Sequence, residues 1–233
     1  MNEVTIKAAS YLTPEGYGSS HIGHQAWPTN EDGSHVCTDP MSISWSSLFP
    51  SPCARLGSKD ALSRLGLMAV ELLAAGFADM TDAQRTEVGI CMVTPTGSIA
   101  TDIQFLGDLS PSTFIYTLPS GVIGEVCIRH GLRGPSLCLM SGADIGRSII
   151  AEAAERIAMG EAEAMICLAC EARNPATEDI LNSALDKDSD FCWYVNGLYL
   201  TGKAMDDGTG RAVSPHMAAA GIRRVCQELC ERE

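Results

Sequence analysis

Apolar residues gather in five segments that have the length and composition of β-strands. The first segment alternates apolar and polar positions, and the next three are almost wholly apolar, as is typical of strands buried on both faces of a parallel sheet. The last is predicted to be an antiparallel strand towards an edge of the sheet. The segments are Val4–Ser10, Val88–Val93, Ser136–Ser141, Met165–Ala172 and Phe191–Thr201.

Between these segments, apolar positions recur at helical spacing. A first helix is predicted from a cap at Ser58 to a stop at Gly76, and further helices over Val122–His130, Ile145–Ala158 and Met217–Glu231. Strands and helices that alternate in this order predict an α/β fold. We expect a mostly parallel five-stranded sheet with helices on both faces.

The length suits one domain, which we assign to residues 1–233. A long polar segment at 11–57, rich in Gly, Pro and Ser, is predicted to be a loop, and a tail begins at about residue 204. A loop of this length inside a compact domain is usually functional or an interaction surface.

The sharp turn between the third strand and the helix after it is the candidate site. Its residues are Ser141, Gly142, Ala143 and Asp144. A side chain at the start of such a helix lies beside free backbone N–H groups and the positive end of the helix dipole, which activates a nucleophile. Ala143 has no such chemistry, and Asp144 is explained as a helix cap.

Several motifs around this turn resemble the β-ketoacyl synthase family of the thiolase superfamily. They are Pro119–Glu125, Gly131–Ser136 and Met159–Ala164, together with the turn itself. The resemblance implies a thiolase-like N-terminal half. In that family the turn supplies a catalytic cysteine, whose place, counted back from Gly160 without a gap, falls on Ala143. We therefore assign no catalytic residue.

The resemblance extends from Val4 to about Lys203 and implies only the first of the two similar halves of a ketosynthase. The second half brings two histidines that work with the cysteine. The five histidines of this chain lie in an early loop, before the central strand and in the tail. These features together resemble a non-catalytic subunit of the chain-length-factor type.

The resemblance also implies where a partner subunit would bind. In ketosynthases the third strand pairs antiparallel across the dimer two-fold, which places Leu137, Leu139 and Met140 at an interface. The segment that contains Phe114 and Tyr116 lines the acyl pocket and packs at the same interface. The run Leu137–Met140 carries no charge to protect an exposed edge, which agrees with a covered strand.

The formal net charge of −13 argues against nucleic acid or an anionic membrane as a partner. It also argues against direct docking of an acidic acyl carrier protein, so we expect that contact to be indirect, through a more basic subunit. The sequence shows neither a signal peptide nor a segment of transmembrane length. We therefore expect a cytoplasmic protein.

Ten cysteines raise the question of a metal or redox site. The pair Cys167 and Cys170 lies in a strand, where its sulfurs are poorly placed for redox chemistry, and no second pair completes a zinc site. His21, His24, His35 and Cys37 fall in the polar loop without an anchoring element. We expect reduced structural cysteines, no metal and no cofactor.

The main functional hypothesis is a non-catalytic subunit that pairs with an active β-ketoacyl synthase as a heterodimer. It would shape the acyl pocket of that enzyme in fatty-acid or polyketide-type biosynthesis, polyenes among the products. One alternative is a stand-alone homodimer that binds an acyl chain. Another is an acyltransferase-type enzyme that uses Ser141, or Cys127 or Cys138. Ser141 has no His or Lys within reach by sequence to activate it, and Cys138, inside a strand, should be buried and inert.

Overall fold

The computed structural model describes residues 4–28, 39–140, 145–173, 193–202, 205, 210–213 and 222–230, except the side chains of 145–148. The strands are β1 (Thr5–Thr13), β2 (Gly16–Ser19), β3 (Gly23–Ala26), β4 (Val88–Thr94), β5 (Ser136–Met140), β6 (Ala164–Ala172), β7 (Trp193–Thr201) and β8 (Arg211–Ala212). The helices are α1 (Trp45–Leu48), α2 (Ala61–Leu73), α3 (Asp82–Thr86), α4 (Ile99–Asp108), α5 (Pro111–Phe114), α6 (Gly121–His130), α7 (Ile145–Ala158) and α8 (Ile222–Cys230). Short 3-10 turns are present at Pro40–Ser42, Leu56–Ser58 and Ala74–Phe77.

The strands form one mixed sheet in the order β3-β2-β1-β7-β6-β4-β5, with β8 also paired to β1. Strand β4 is parallel to both β5 and β6, whereas β7 is antiparallel to its two neighbours, β1 and β6. Strands β1, β4, β5 and β6 therefore all run in one direction. Their carboxyl ends lie at the same end of the sheet, where the candidate site is located.

The predicted α/β fold is confirmed, and the five predicted strands form the row β1-β7-β6-β4-β5. The described part of the sheet has eight strands and is mixed, which corrects the expectation of five mostly parallel strands. Strand β7 is antiparallel as predicted, but its predicted position towards an edge is wrong. Its side chains are almost all buried, and it lies between two strands that cover both of its edges.

The expectation of one long loop at 11–57 is also wrong in part. Strand β1 continues to Thr13, β2 and β3 follow as antiparallel neighbours, and α1 forms further on. The sequence pattern does not reveal β2 because Gly16 and Gly18 have no side chains that could alternate between apolar and polar positions. They are needed there, since a Cβ atom on Gly16 would lie 2.6 Å from the carbonyl oxygen of Gln25. In the tail, β8 pairs with β1.

Helices α2 and α6 cover one face of the sheet, which we call the α2 face. Along β6, every second side chain points towards this face, and the core there contains Leu65, Leu73, Val126, Ile166 and Leu168, all fully or nearly fully buried. The apolar stripe of α2 thus packs on the alternating inner positions of the strands, as the two periodicities require.

Helices α7 and α8 cover the opposite face, the α7 face. The intervening side chains of the same strands point here, so that Met165 and Leu198 pack with Ile149, Ile150 and Val225. An ion pair lies on the outer side of α7, with 2.8 Å between Arg156 Nε and Glu152 Oε1. The expectation of helices on both faces is therefore also confirmed.

The boundaries of the first long helix differ from the sequence prediction. Ser58 lies in a 3-10 turn, and the true cap is Asp60, whose carboxylate accepts a hydrogen bond of 3.0 Å from the backbone N–H of Ser63. The helix ends at Leu73, and a 3-10 turn then carries the chain past Gly76. No helix in the described ranges is long and apolar enough to cross a bilayer.

The described cysteines are free thiols. Cys167 and Cys170 point to opposite faces of β6, so the two sulfurs cannot act together, as the strand assignment predicts. Burial raises the pKa of both thiols well above the usual value, so both are inert. Cys226 and Cys230 are both buried on α8, whereas Cys37 and Cys192 lie outside the described residues.

We predict opposite effects for one substitution at two helical glycines. A Cβ atom at Gly66 in α2 would lie 2.3 Å from Val122 Cγ1 in α6, so Gly66→Ala should lower the free energy of unfolding by about 1–3 kcal/mol. Gly124 in α6 has open space, so Gly124→Ala should raise it by about 0.5–1 kcal/mol. Urea unfolding measures both changes, and equal effects would contradict the close packing of α2 on α6.

Candidate functional site

The candidate turn follows β5 in the chain, and the carboxyl end of β5 lies beside those of its neighbours. Strands β4, β5 and β6 end at Thr94, Met140 and Ala172, side by side in the sheet. Ser141, Gly142, Ala143 and Asp144 follow Met140 directly and lie outside the described residues. The structure therefore shows the elements that flank the turn, and the role of Ala143 stays a prediction.

A buried carboxyl group lies at the same end of the sheet. Glu171 on β6 is fully buried on the α7 face and accepts hydrogen bonds from the backbone N–H of Thr96, at 3.2 Å, and from the Thr96 hydroxyl. Burial raises the pKa of this carboxyl, although the two hydrogen bonds oppose that rise. Glu171 thereby fixes the loop after β4 to the end of β6.

Met140, a predicted interface residue, occupies the end of the outermost strand. Its side chain is 64% exposed, yet its Cε atom lies only 3.0 Å from where a Cβ atom of Gly97 would be. The ring of Pro119 lies at 3.1 Å from the same point. Met140, Gly97 and Pro119 thus lie together at the end of β5.

Strand β5 is an open edge of the sheet within the described part of the chain, because β4 is the strand paired with it there. The backbone N–H of Ile90 donates to the carbonyl of Pro135 at 2.9 Å. In a parallel ladder this bond directs the backbone groups of Leu137 and Leu139 to β4 and those of Ser136, Cys138 and Met140 away from it. Among the described residues, no strand pairs with these outward groups.

The side chains of β5 show how its apolar residues are used. Leu137 and Leu139 are half-buried and pack on the α7 face, and Cys138 packs on the α2 face. The predicted interface residues Leu137 and Leu139 therefore contribute to the core of their own chain. What β5 offers to a partner is mainly its backbone edge and the exposed Met140.

Exposed apolar side chains lie on α4, on α5 and in the segment that leads to Pro119, which approaches Met140 at the end of β5. We call this group the α4–α5 patch, and its members are more than half exposed although they are large and apolar. They are Leu106, Leu109, Phe114, Ile115 and Leu118. Exposed apolar patches of this kind mark interaction sites. Phe114 is 58% exposed in this patch, and its role at an interface stays a prediction.

Tyr116, the other residue of this segment predicted at the interface, lies inside the chain. Its hydroxyl donates to Glu125 Oε1 at 3.0 Å, and Lys59 forms an ion pair with the other oxygen of Glu125. Burial, and then the bond to Glu125, raise the pKa of Tyr116 to about 12. Tyr116 is directed inwards because this buried polar network satisfies its hydroxyl.

The structure is similar to solved ketosynthase structures. The ishigamide ketosynthase/chain length factor matches with a TM-score of 0.66 and 16% identity over 88% of this chain and 63% of that chain. This chain has the ketosynthase-type fold. It spans less than two thirds of the length of that first relative.

Two further structures of this type match the chain. The ketosynthase ApeO in complex with its chain length factor ApeC, from Xenorhabdus doucetiae, gives a TM-score of 0.57 and 14% identity over 85% of this chain and 79% of that chain. The AntDE:AntF complex of a type II PKS acyl-carrier protein with its ketosynthase gives a TM-score of 0.60 and 17% identity over 88% of this chain and 63% of that chain. No protein-family model and no curated protein matches the sequence.

Sequence reasoning missed the two polar networks that border the site. Glu171 had a visible signal, because a charged residue ends an otherwise apolar strand, which is unusual for a buried position. Lys59 and Glu125 had no local signal, since 66 positions separate them and only the packing of α6 beside the start of α2 brings them together. The contact between Thr96 and Glu171 likewise joins residues that are far apart in the chain, 75 positions, so the sequence does not show that they meet.

The histidines of the predicted loop do not form a metal site in the described part of the chain. His24 is a ring partner of Tyr11, whose hydroxyl contacts its Nδ1. His35 and Cys37 lie outside the described residues. Within the described ranges, no three or more His, Cys, Asp or Glu residues are grouped to hold a metal ion.

Proposed function

We propose that this chain is a non-catalytic subunit of the chain-length-factor type, which pairs with an active β-ketoacyl synthase and shapes the acyl pocket of that enzyme. The ketosynthase-type fold supports this class of protein. Ala143, at the place of the family's cysteine, supports a role without a nucleophile. The pathway is fatty-acid or polyketide-type biosynthesis, polyenes among the products.

The observation that carries the proposal is the open edge of β5 together with the α4–α5 patch. An exposed apolar edge strand without charged residues is prone to aggregation, and pairing with another chain removes this liability. Outward-facing backbone groups at Ser136, Cys138 and Met140 are suited to pairing with an antiparallel strand. The apolar side chains of the patch can then be buried in the same contact.

The acidic charge of the chain supports a division of roles. With a net charge of −13, this subunit repels an acidic acyl carrier protein, so the synthase subunit supplies the docking surface for the carrier. The acyl carrier protein is thus an indirect partner, and the synthase is the direct one.

The proposal is tested by co-expression with a candidate β-ketoacyl synthase that alone carries a tag. We expect a one-to-one complex by mass, and no acyl adduct on this chain after incubation with acyl donors. Within the complex, Met140→Ala should change the chain length of the product, because Met140 is exposed beside the turn. Met159→Ala is the matched control, since Met159 is equally exposed, at 64%, beyond the far end of α7.

Each contrary result points to a different function. A stoichiometric acyl adduct on the isolated chain would indicate an enzyme with an altered nucleophile, such as Ser141. A stable self-dimer that excludes the synthase would indicate a stand-alone acyl-binding protein. A product profile that Met140→Ala leaves unchanged would contradict the shaping of the acyl pocket.

A further inference from the structure

The loop between β4 and α4, residues 95–98, contacts two neighbouring strands at the carboxyl end of the sheet. The backbone N–H and the hydroxyl of Thr96 donate to the carboxylate of Glu171 on β6. The next residue, Gly97, lies against the side chain of Met140 at the end of β5. Because consecutive residues make the two contacts, a displacement of the loop from Glu171 also changes the support of Met140.

The loop is held in place by hydrogen bonds to both of its central backbone N–H groups. Glu171 is fully buried and accepts from the N–H of Thr96 at 3.2 Å, and the hydroxyl of Thr94 accepts from the N–H of Gly97 at 3.1 Å. Hydrogen bonds to an ionised carboxylate are stronger than those between neutral groups. Glu171 is therefore the main anchor that joins this loop to β6.

Met140 has no fixed position without this loop. Its side chain is 64% exposed, and an unbranched methionine side chain adapts readily to its surroundings. Gly97 has a φ of +63°, and a Cβ atom there would lie 3.0 Å from Met140 Cε and 3.3 Å from its Sδ atom. The ring of Pro119 is 3.1 Å from the same point. Met140 thus lies directly against the Cα atom of Gly97, where no other residue leaves room for it.

We propose that Glu171 positions the side chain of Met140, by anchoring the loop through Thr96 so that Gly97 supports Met140. Glu171 and Gly97 are then positioning residues. Their effect on the chain length of a product rests on the proposed function, in which Met140 shapes the acyl pocket of the synthase. The position of Met140 is a property of the isolated chain and is tested there.

Methyl NMR of the isolated full chain, labelled with carbon-13 at the methionine methyl groups, tests the role of Glu171. Glu171→Met removes the acceptors of Thr96, so the Met140 methyl resonance should shift and its nuclear Overhauser effect to Gly97 should be lost. Glu171→Gln keeps a side-chain oxygen that can accept from Thr96, so it should retain this effect. The two variants separate the anchor from the charge, since Arg173 acts electrostatically on Glu171 and both substitutions remove that interaction.

The Met140 resonance is assigned by its absence from the spectrum of Met140→Ala. If the nuclear Overhauser effect to Gly97 survives in a folded Glu171→Met chain, the proposal is overturned. Equal losses in Glu171→Met and Glu171→Gln would also overturn it, because they would assign the effect to the charge and not to the contact with Thr96.

Gly97→Ala tests the second step and leaves the anchor intact, so it stays decisive if Glu171→Met fails to fold. The added Cβ atom should displace the methyl group of Met140 and shift its resonance. Gly160→Ala is the matched control, because Gly160 has a similar φ of +74° but open space around its Cα atom. The control has the same backbone strain and should leave the Met140 resonance unchanged. An unchanged resonance in folded Gly97→Ala contradicts the support of Met140 by Gly97.

Product analysis of the complex with a β-ketoacyl synthase separates this inference from the proposed function. Gly97→Ala should change the chain length of the product, as Met140→Ala does, and Gly160→Ala should not. A shifted Met140 resonance with an unchanged product supports the positioning of Met140 and contradicts its role in the acyl pocket. An unchanged resonance in a chain that still pairs with the synthase contradicts the positioning alone.

Discussion

Replacing Cys138 with proline is expected to abolish the proposed pairing of this chain with a β-ketoacyl synthase while the chain itself still folds. The backbone N–H of Cys138 points to the open edge of β5, so proline removes a donor that β4 does not use. A carbonyl group on the pairing strand would then lose its donor and meet the proline ring. We expect the dissociation constant of the complex to rise roughly a hundredfold or more.

Size-exclusion chromatography with light scattering, together with urea unfolding of the isolated chain, measures both expectations. Cys138→Val is the matched control, because valine keeps the outward N–H and favours a strand. A lysine at Leu139 is a poorer test, since Leu139 packs on the α7 face and its loss would disturb the core. Pairing that survives Cys138→Pro in the folded chain would falsify the edge-to-edge contact.

The second prediction with a large expected effect concerns Arg129, which links α6 to α2 and to the segment before α2. The guanidinium group of Arg129 on α6 donates two hydrogen bonds to the carboxylate of Glu71 on α2, from Nε at 2.7 Å and from Nη2 at 2.9 Å. It also donates to the carbonyl of Pro52 at 3.1 Å and stacks over the ring of Trp45 at 4.7 Å. The bidentate geometry and low exposure distinguish this ion pair from ordinary surface pairs.

Replacing Arg129 with methionine should therefore lower the free energy of unfolding by about 2–4 kcal/mol at neutral pH, because it leaves the carboxylate of Glu71 largely buried without its partner. The double variant Arg129→Met/Glu71→Met should recover a large part of this loss, since no buried charge remains. Urea unfolding of both variants measures the difference. A double variant as unstable as the single one would show that the ion pair is not the cause.

The effect of Arg129→Met should depend on pH. Burial raises the pKa of Glu71, but the hydrogen bonds and charge of Arg129 outweigh burial and hold it below the usual value. The pair thus stabilises the native chain above the unfolded pKa of about 4.5, and this contribution is lost as the pH falls through the folded pKa. In the Arg129→Met variant, burial dominates and the Glu71 carboxyl takes up a proton as the pH falls. The loss in free energy of unfolding caused by the substitution should therefore be smaller at pH 4 than at pH 7.

His130, next to this ion pair, adds a second pH dependence, which Arg129→Met also alters because the charge of Arg129 helps to lower the pKa of His130. Burial, opposed by Glu71 but aided by Arg129 and Arg85, lowers the pKa of His130 to about 4. Because the pKa of His130 is lower in the folded chain, its contribution to stability is fully present above its unfolded pKa of about 6.5 and is lost as the pH falls towards 4. For this reason the variants are compared with the native chain at each pH.

The sequence alone predicted which segments form strands and helices, because that information is local. Apolar runs such as Met165–Ala172 and the helical spacing of Val122–His130 reappear within two residues of their predicted ends. The prediction was wrong where the local pattern is weak. The strands β2 and β3 contain glycines in place of alternating side chains, and Asp60 took the capping role expected of Ser58.

Strand neighbours and polar contacts were decided only by the tertiary structure, because they join residues that are far apart in the chain. Nothing local in Trp193–Thr201 shows that β7 is inserted between β1 and β6. Tyr116 could be expected at the surface until its contact with Glu125 turned it inwards. The sequence did determine that Ala143 carries no nucleophile, since that depends on residue identity, whereas the open edge of β5 depends on which strands the folded sheet places beside it.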